Sequence, residues 1–150
     1  LVIADAADYV RQSDAAFDVI ISDSTDPVGP GEALFTESFY ANAKARLAEG
    51  GILVTQNGVP FLQPEELRNT MAAFATLFAD AGCYLATVPT YAGGPMAFGW
   101  GTDGTARDVP VDVLAGRLAA AGIAPRYYTP EVHKAAFALP GYVRALMPGA

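Results

Sequence analysis

The sequence predicts an α/β fold: an open, mostly parallel sheet with helices on both faces and an antiparallel hairpin towards its C-terminal end. Three observations carry this. Short apolar runs alternate with segments of helical period along the whole chain. An "AGG" turn signal at 92–94 separates two apolar runs, as in a hairpin. The 150 residues are 52% apolar and show no internal repeat or low-complexity linker, so they suffice for one domain, 1–150, with a proper core.

Taken in order, "LVI" (1–3) reads as a short buried strand and "AADYVRQS" as a helix. "DVIIS" (18–22) is a second strand. "TESFYANAKARLAEG" (36–50) is a helix, with Thr36 as N-cap, Phe39, Ala43 and Leu47 on one face, and Gly50-Gly51 as its stop. "ILVTQ" (52–56) is a third strand. The spacing of Leu67, Met71, Phe74, Leu77 and Phe78 predicts a helix over 63–82, with Pro64 in its first turn. "CYLATVPTY" (83–91) and "PMAFGWG" (95–101) form the hairpin, and helices follow at 110–121 and around 130–138.

Composition excludes several function classes. With 16 acidic and 9 basic residues the net charge is -7, and no basic patch is present to neutralise nucleic-acid phosphates. No apolar run approaches a membrane span, and the acidic opening "LVIADAADYV" is not a signal peptide. Cys83 is the one cysteine, which rules out a disulfide framework or a thiolate metal site and suits a reducing cytoplasm. The chain has no initiator Met and begins inside what reads as a strand, so upstream residues are expected. No G-x-G-x-x-G or P-loop is present.

In open α/β sheets ligands bind beyond the carboxyl ends of the strands. Polar residues gather there: Asp5 after the first strand, Asp23 and Asp26 after the second, Gln56 after the third, and Tyr91 at the end of the first hairpin strand. Together they suggest an acidic rim with an aromatic wall, suited to a small cation rich in N–H donors. Each has a plainer explanation. Asp5 could cap the helix that follows, Asp23 a turn, and Asp26 before Pro27 could only start a bend. Gln56 could be a solvated strand end, and Tyr91 a core residue with its hydroxyl at the surface. The lone His133 sits in a helix away from these strand ends and reads as a packing or surface residue. Cys83 and Trp100 read as core.

The run "DVIISDSTDPVGPGEALFTESFY", with "GGILVTQNG", "VPTYAGGPMAFGWGT" and "RYYTPEVHKAAFALPGYV", closely resembles the polyamine aminopropyltransferase family, spermidine synthases in particular, over nearly the whole chain. D-x-x-D-P-x-G-P followed by L-F-x-x-x-F-Y is highly specific. The resemblance implies a Rossmann-like fold, shared with class I S-adenosylmethionine methyltransferases. It implies transfer of an aminopropyl group from decarboxylated S-adenosylmethionine to putrescine, giving spermidine and methylthioadenosine. It implies no metal or cofactor beyond that co-substrate, and a cytoplasmic homodimer or homotetramer. Asp23 then matches the proton acceptor, and Asp23, Ser24, Thr25 and Asp26 the amine-contacting stretch. Gln56 and Tyr91 match polar groups along the amine channel. Asp5, Ala6 and Pro30 match the nucleoside side, with Ala6 where the family usually has Gly. The family's N-terminal β domain, the first strands of its nucleotide fold and its G-G-G-D-G-G loop have no counterpart in the sequence, so the chain matches a C-terminal portion.

The chemistry of that transfer explains two aspartates at one strand end. The amine arrives as ammonium without a lone pair, so one carboxylate is needed as base and a second as anchor. Alternatives are the same transfer to agmatine, cadaverine or spermidine, a methyltransferase on the same fold, or a non-catalytic binding fragment. Asp26 argues against the methyltransferase, since a methyl acceptor need not be cationic.

Overall fold

The computed structural model describes residues 1–149. Its sheet has four strands in the order β1 (Phe17–Ser22), β2 (Leu47–Gln56), β4 (Met96–Thr102), β3 (Asp80–Ala86). β1 and β2 are parallel, and β4 runs antiparallel to both β2 and β3. The helices are α1 (Ala6–Gln12), α2 (Glu37–Ala45), α3 (Pro64–Leu77), α4 (Val111–Ala120), α5 (Pro130–Ala136) and α6 (Gly141–Arg144), with 3-10 segments at Gly29–Phe35 and Ala106–Asp108. The expected α/β class and the C-terminal hairpin are both present. β4 lies inside the sheet rather than at its edge.

The pleat divides the sheet residues between two faces. Leu53, Thr55 and Asn57 point to the face covered by α2 and α3, where Tyr40, Leu67, Met71 and Phe74 are buried in one cluster. The rings of Tyr40 and Phe74 meet edge-on at 4.9 Å, and those of Phe74 and Phe78 at 5.2 Å. Val54 and Gln56 pair with Trp100 and Phe98 on the opposite face, where Phe137, the residue that caps α5, packs against Trp100 and Tyr84.

Four boundaries differ from the sequence reading, each for a local reason. "LVI" is not a strand: no strand of the chain lies beside it, and Leu1 and Ile3 are exposed. Thr36 caps α2 through its hydroxyl, accepting from Phe39 N–H at 3.2 Å, but the helix ends at Ala45 and residues 47–50 belong to β2. Leu47 already pairs with Phe17, and the extra residues form an irregularity before Ile52 pairs with Val19. Gly50 at φ 71° makes that turn accessible. α3 stops at Leu77 because Phe78 is extended and drops its ring onto Gly101, where an added Cβ would sit 2.5 Å from it. β3 therefore starts at Asp80 and ends at Ala86, leaving 87–91 in a loop.

β1 is an edge strand whose face opposite α2 is bare: Val19 is 49% and Ile21 69% exposed. An unpaired edge beside apolar side chains templates association. Residues 1–150 expressed alone are expected to self-associate, which size-exclusion chromatography with light scattering checks; a monodisperse monomer at micromolar concentration contradicts this.

Candidate active site

At the carboxyl ends of β1 and β2, Asp23, Gln56 and Tyr91 line one cleft of about 340 Å³, with Val54, Tyr84 and Phe98 as its apolar floor. Three of the residues expected from the sequence are thus brought together. The mechanism of assembly is local. β1 delivers Asp23 because Ser22, its last residue, still pairs with Thr55. The next strand delivers Gln56 two residues beyond Val54, on the same side of the pleat. Tyr91 arrives on the loop between β3 and β4, held by its N–H to the Val88 carbonyl at 3.0 Å.

The loop after β1 folds back on itself. Val28 N–H reaches the Asp26 carbonyl at 2.7 Å, and Gly29 takes φ 60°. At Gly31 a Cβ would stand 2.8 Å from the Asp26 carbonyl oxygen and 2.9 Å from Thr25 Oγ1, so only glycine fits that close approach. Pro30 sits in the first turn of the 3-10 segment, where a missing N–H is tolerated. Asp23, Thr25, Asp26 and Pro30 are exposed, and Ser24 is half-buried.

Gln56 is not a solvated strand end. It is buried, and with its amide oriented so that nitrogen faces the Ser24 carbonyl and oxygen faces Gly58 N–H, the orientation that satisfies both, it donates to the first and accepts from the second at 3.1 Å each. It therefore ties the aspartate loop to the end of β2. Tyr91 is not core either, being 54% exposed. Asp5 caps α1, its carboxylate accepting from Asp8 N–H at 2.9 Å, and Ala6 opens that helix. Both lie apart from the Asp23 cleft, Asp5 in a shallow depression with Asp8, Tyr9 and Ser13.

Glu66, in the first turn of α3, was not singled out in the sequence. It is 8% exposed, and neither carboxyl oxygen has a hydrogen-bond partner. Burial, and secondarily the charge of Asp26, push its carboxyl up to about 7. The signal available was its place in a Pro-Glu-Glu helix start, a pattern that ordinarily marks solvated first-turn acids.

The spermine/spermidine synthase domain family matches residues 1–109. The chain belongs to the spermine/spermidine synthase family. Within it, the chain is 64% identical over 149 residues to the polyamine aminopropyltransferase of Ruegeria sp. (strain TM1040), covering 99% of this chain and 52% of that protein. It is 55% identical to polyamine aminopropyltransferase 1 of Pseudomonas aeruginosa, covering 95% and 50%. The chain thus spans about half the length of the curated relatives it matches. Among solved structures, a spermidine synthase in complex with the transition-state analogue AdoDATO superposes with a TM-score of 0.86 at 33% identity, covering 97% of this chain and 50% of that one. Spermidine synthase from Thermotoga maritima gives 0.83 at 32%, covering 97% and 48%. The family's methyltransferase-like fold is therefore the fold of this chain.

Away from the Asp23 cleft, His133 is half-buried beside Tyr128 and Phe137, as its helix position suggested. Burial, then Lys134, lowers its affinity for a proton. Cys83 is buried in the core, and burial pushes its thiol up to about 12, so it is not a nucleophile. No described helix is long and apolar enough to cross a membrane.

Proposed function

We propose that this chain carries the amine side of an aminopropyltransferase that moves an aminopropyl group from decarboxylated S-adenosylmethionine to putrescine. One observation carries the reading: a carboxylate at the end of the edge strand β1, Asp23, opens into a cleft with a buried amide and an exposed tyrosine, in a chain of this family. Asp23 accepts a proton from the incoming ammonium. The freed nitrogen lone pair attacks the aminopropyl carbon bonded to the sulfonium, the C–S bond breaks, and its electron pair neutralises sulfur, leaving methylthioadenosine. The positive sulfur already activates the leaving group, so positioning and general-base work are the tasks left to the protein.

Asp26 anchors the amine, Ser24 and Thr25 shape its loop, and Gln56 holds that loop in place. Tyr91 forms the far wall. Asp5, Ala6 and Pro30 take the nucleoside side. The reading includes a homodimer or homotetramer in the cytoplasm and needs no metal or further cofactor.

The test is methylthioadenosine release by the full-length natural polypeptide, supplied with the donor and putrescine, agmatine, cadaverine or spermidine in turn. Putrescine is expected to be the best acceptor; release with none of them would refute the reading. Asp26→Ala and Tyr91→Phe are each expected to raise KM for the amine about tenfold or more, the effect of losing one charged or polar contact, with KM for the donor within about twofold. A change confined to the donor would move both residues off the amine side.

A further inference from the structure

Native proteins seldom leave a buried carboxyl without a donor, and such a group calls for a role. Glu66 is one, and its surroundings are specific. A Cβ built on Gly58 would lie 3.3 Å from Glu66 Oε2, so the carboxyl sits against the turn that leaves β2, where Gly58 N–H bonds to Gln56. Three elements bring groups to it. The Asp26 carboxylate, on the loop after β1, is the charge that, after burial, raises the Glu66 carboxyl. α2 brings Tyr40, whose hydroxyl is bonded to Thr70 at 3.0 Å and is pushed up to about 12, hence neutral at physiological pH. On α3 itself Glu65 is exposed and paired with Arg68. The end of β2 contributes no titratable side chain. Among the described residues no Lys or Arg forms an ion pair with Glu66 or Asp26.

We propose that Glu66 is a positioning residue for the amine subsite: protonated in the empty protein, it ionises when an alkyl diammonium reaches Asp26, and its charge strengthens the hold of Asp26 on that cation. The inference rests on the aminopropyl-transfer reading and adds to it a residue that acts through Asp26 without touching substrate. The proton leaves to solvent or buffer and no covalent bond changes; each Glu66 that ionises makes the protein's own charge at the subsite more negative by one, while the entering diammonium adds two positive charges.

The sign follows from linkage. A bound cation favours the ionised carboxyl, so it lowers the pH at which Glu66 titrates, and putrescine binding releases a proton. Affinity for putrescine then rises with pH through about 7 and levels off once Glu66 is ionised without help. Folding shows the complementary trend. Because the group holds its proton more tightly in the folded state than in the unfolded one, stability falls as pH rises from 4.5, the ordinary value for a glutamate carboxyl, to about 7.

The experiment is isothermal calorimetry of putrescine binding to the full-length polypeptide at pH 7 in two buffers of different ionisation enthalpy, with steady-state kinetics alongside. The wild type is expected to release roughly half a proton. Glu66→Gln is expected to release almost none, to raise KM for putrescine about tenfold and to flatten its pH dependence, with KM for the donor unchanged. Glu66→Asp, which keeps a titrating group, should restore part of the proton release and serves if the amide variant folds poorly. Proton release and pH slope in Glu66→Gln equal to wild type overturn the inference while leaving the transfer reading intact. A wild type that neither binds putrescine nor transfers to any amine removes both.

Discussion

Asp23→Asn in the full-length polypeptide is expected to slow methylthioadenosine release by about a hundred- to ten-thousand-fold, the range for removing a general base. Donor binding should survive. The reason is separation of roles within one loop. Asparagine keeps the size and the hydrogen-bonding shape of Asp23, so the cleft it shares with Gln56 and Tyr91 stays open. On the proposed reaction, what disappears is the ability to accept a proton from an ammonium that cannot attack until it gives one up. Single-turnover kinetics with donor binding measured separately distinguish the two roles. Turnover within threefold of wild type would remove Asp23 as the base.

Asn57→Ala should be among the most destabilising single changes in the chain, on the order of 3 kcal/mol. Asn57 is fully buried and satisfies three neighbours. Its Oδ1 accepts from Gly99 N–H at 3.0 Å and from Thr55 Oγ1 at 2.9 Å, and its Nδ2 donates to Thr70 Oγ1 at 2.8 Å. Thr70 in turn meets the Tyr40 hydroxyl. Alanine leaves a cavity and strands buried polar groups at the seam of β2, β4, α2 and α3. For 150 residues this corresponds to a fall in Tm of roughly 6–12 °C. Thr55→Val removes one bond from the same network and should cost only about 1 kcal/mol. Thermal melts of the two variants test the ranking, and equal losses would contradict it.

These residues also mark what the sequence could and could not reveal. Thr36 as a cap and the apolar stripe of α3 were legible because they rest on contacts three or four residues apart. The place of Asp23 was legible because an apolar run followed by a turn-rich segment fixes a strand end. The end of α3 was not, since Phe78 continues the helical stripe and only the empty space over Gly101, 23 positions on, makes it turn away. Nor was the insertion of β4 between β2 and β3, because the pattern of apolar residues is the same for a central and an edge strand. In the site, Tyr91 was placed at a strand end and lies instead in a loop, yet still reaches the cleft. Gln56 was seen as polar, but its bracing of the Ser24 carbonyl depends on a loop conformation set by Gly29 and Gly31. Glu66 escaped notice because burial of a first-turn acid is a tertiary property with no local mark.

The cleft is bounded by segments that belong to different strands. Its carboxylate wall hangs from β1, and its aromatic wall from the β3–β4 loop, where Gly93 and Gly94 take φ 101° and 131°. Gly93 is pressed against Leu62, leaving 2.7 Å to an added Cβ, and Thr87 N–H reaches the Tyr127 hydroxyl at 3.3 Å, so the loop is held at both ends. Divergence within such a framework is modular. Substitutions or length changes at 87–92 alter the span between Tyr91 and Asp23 while leaving β1 and Asp23 in place. On the proposed reading, the acceptor length that fits is therefore set by one short segment that can change without touching Asp23.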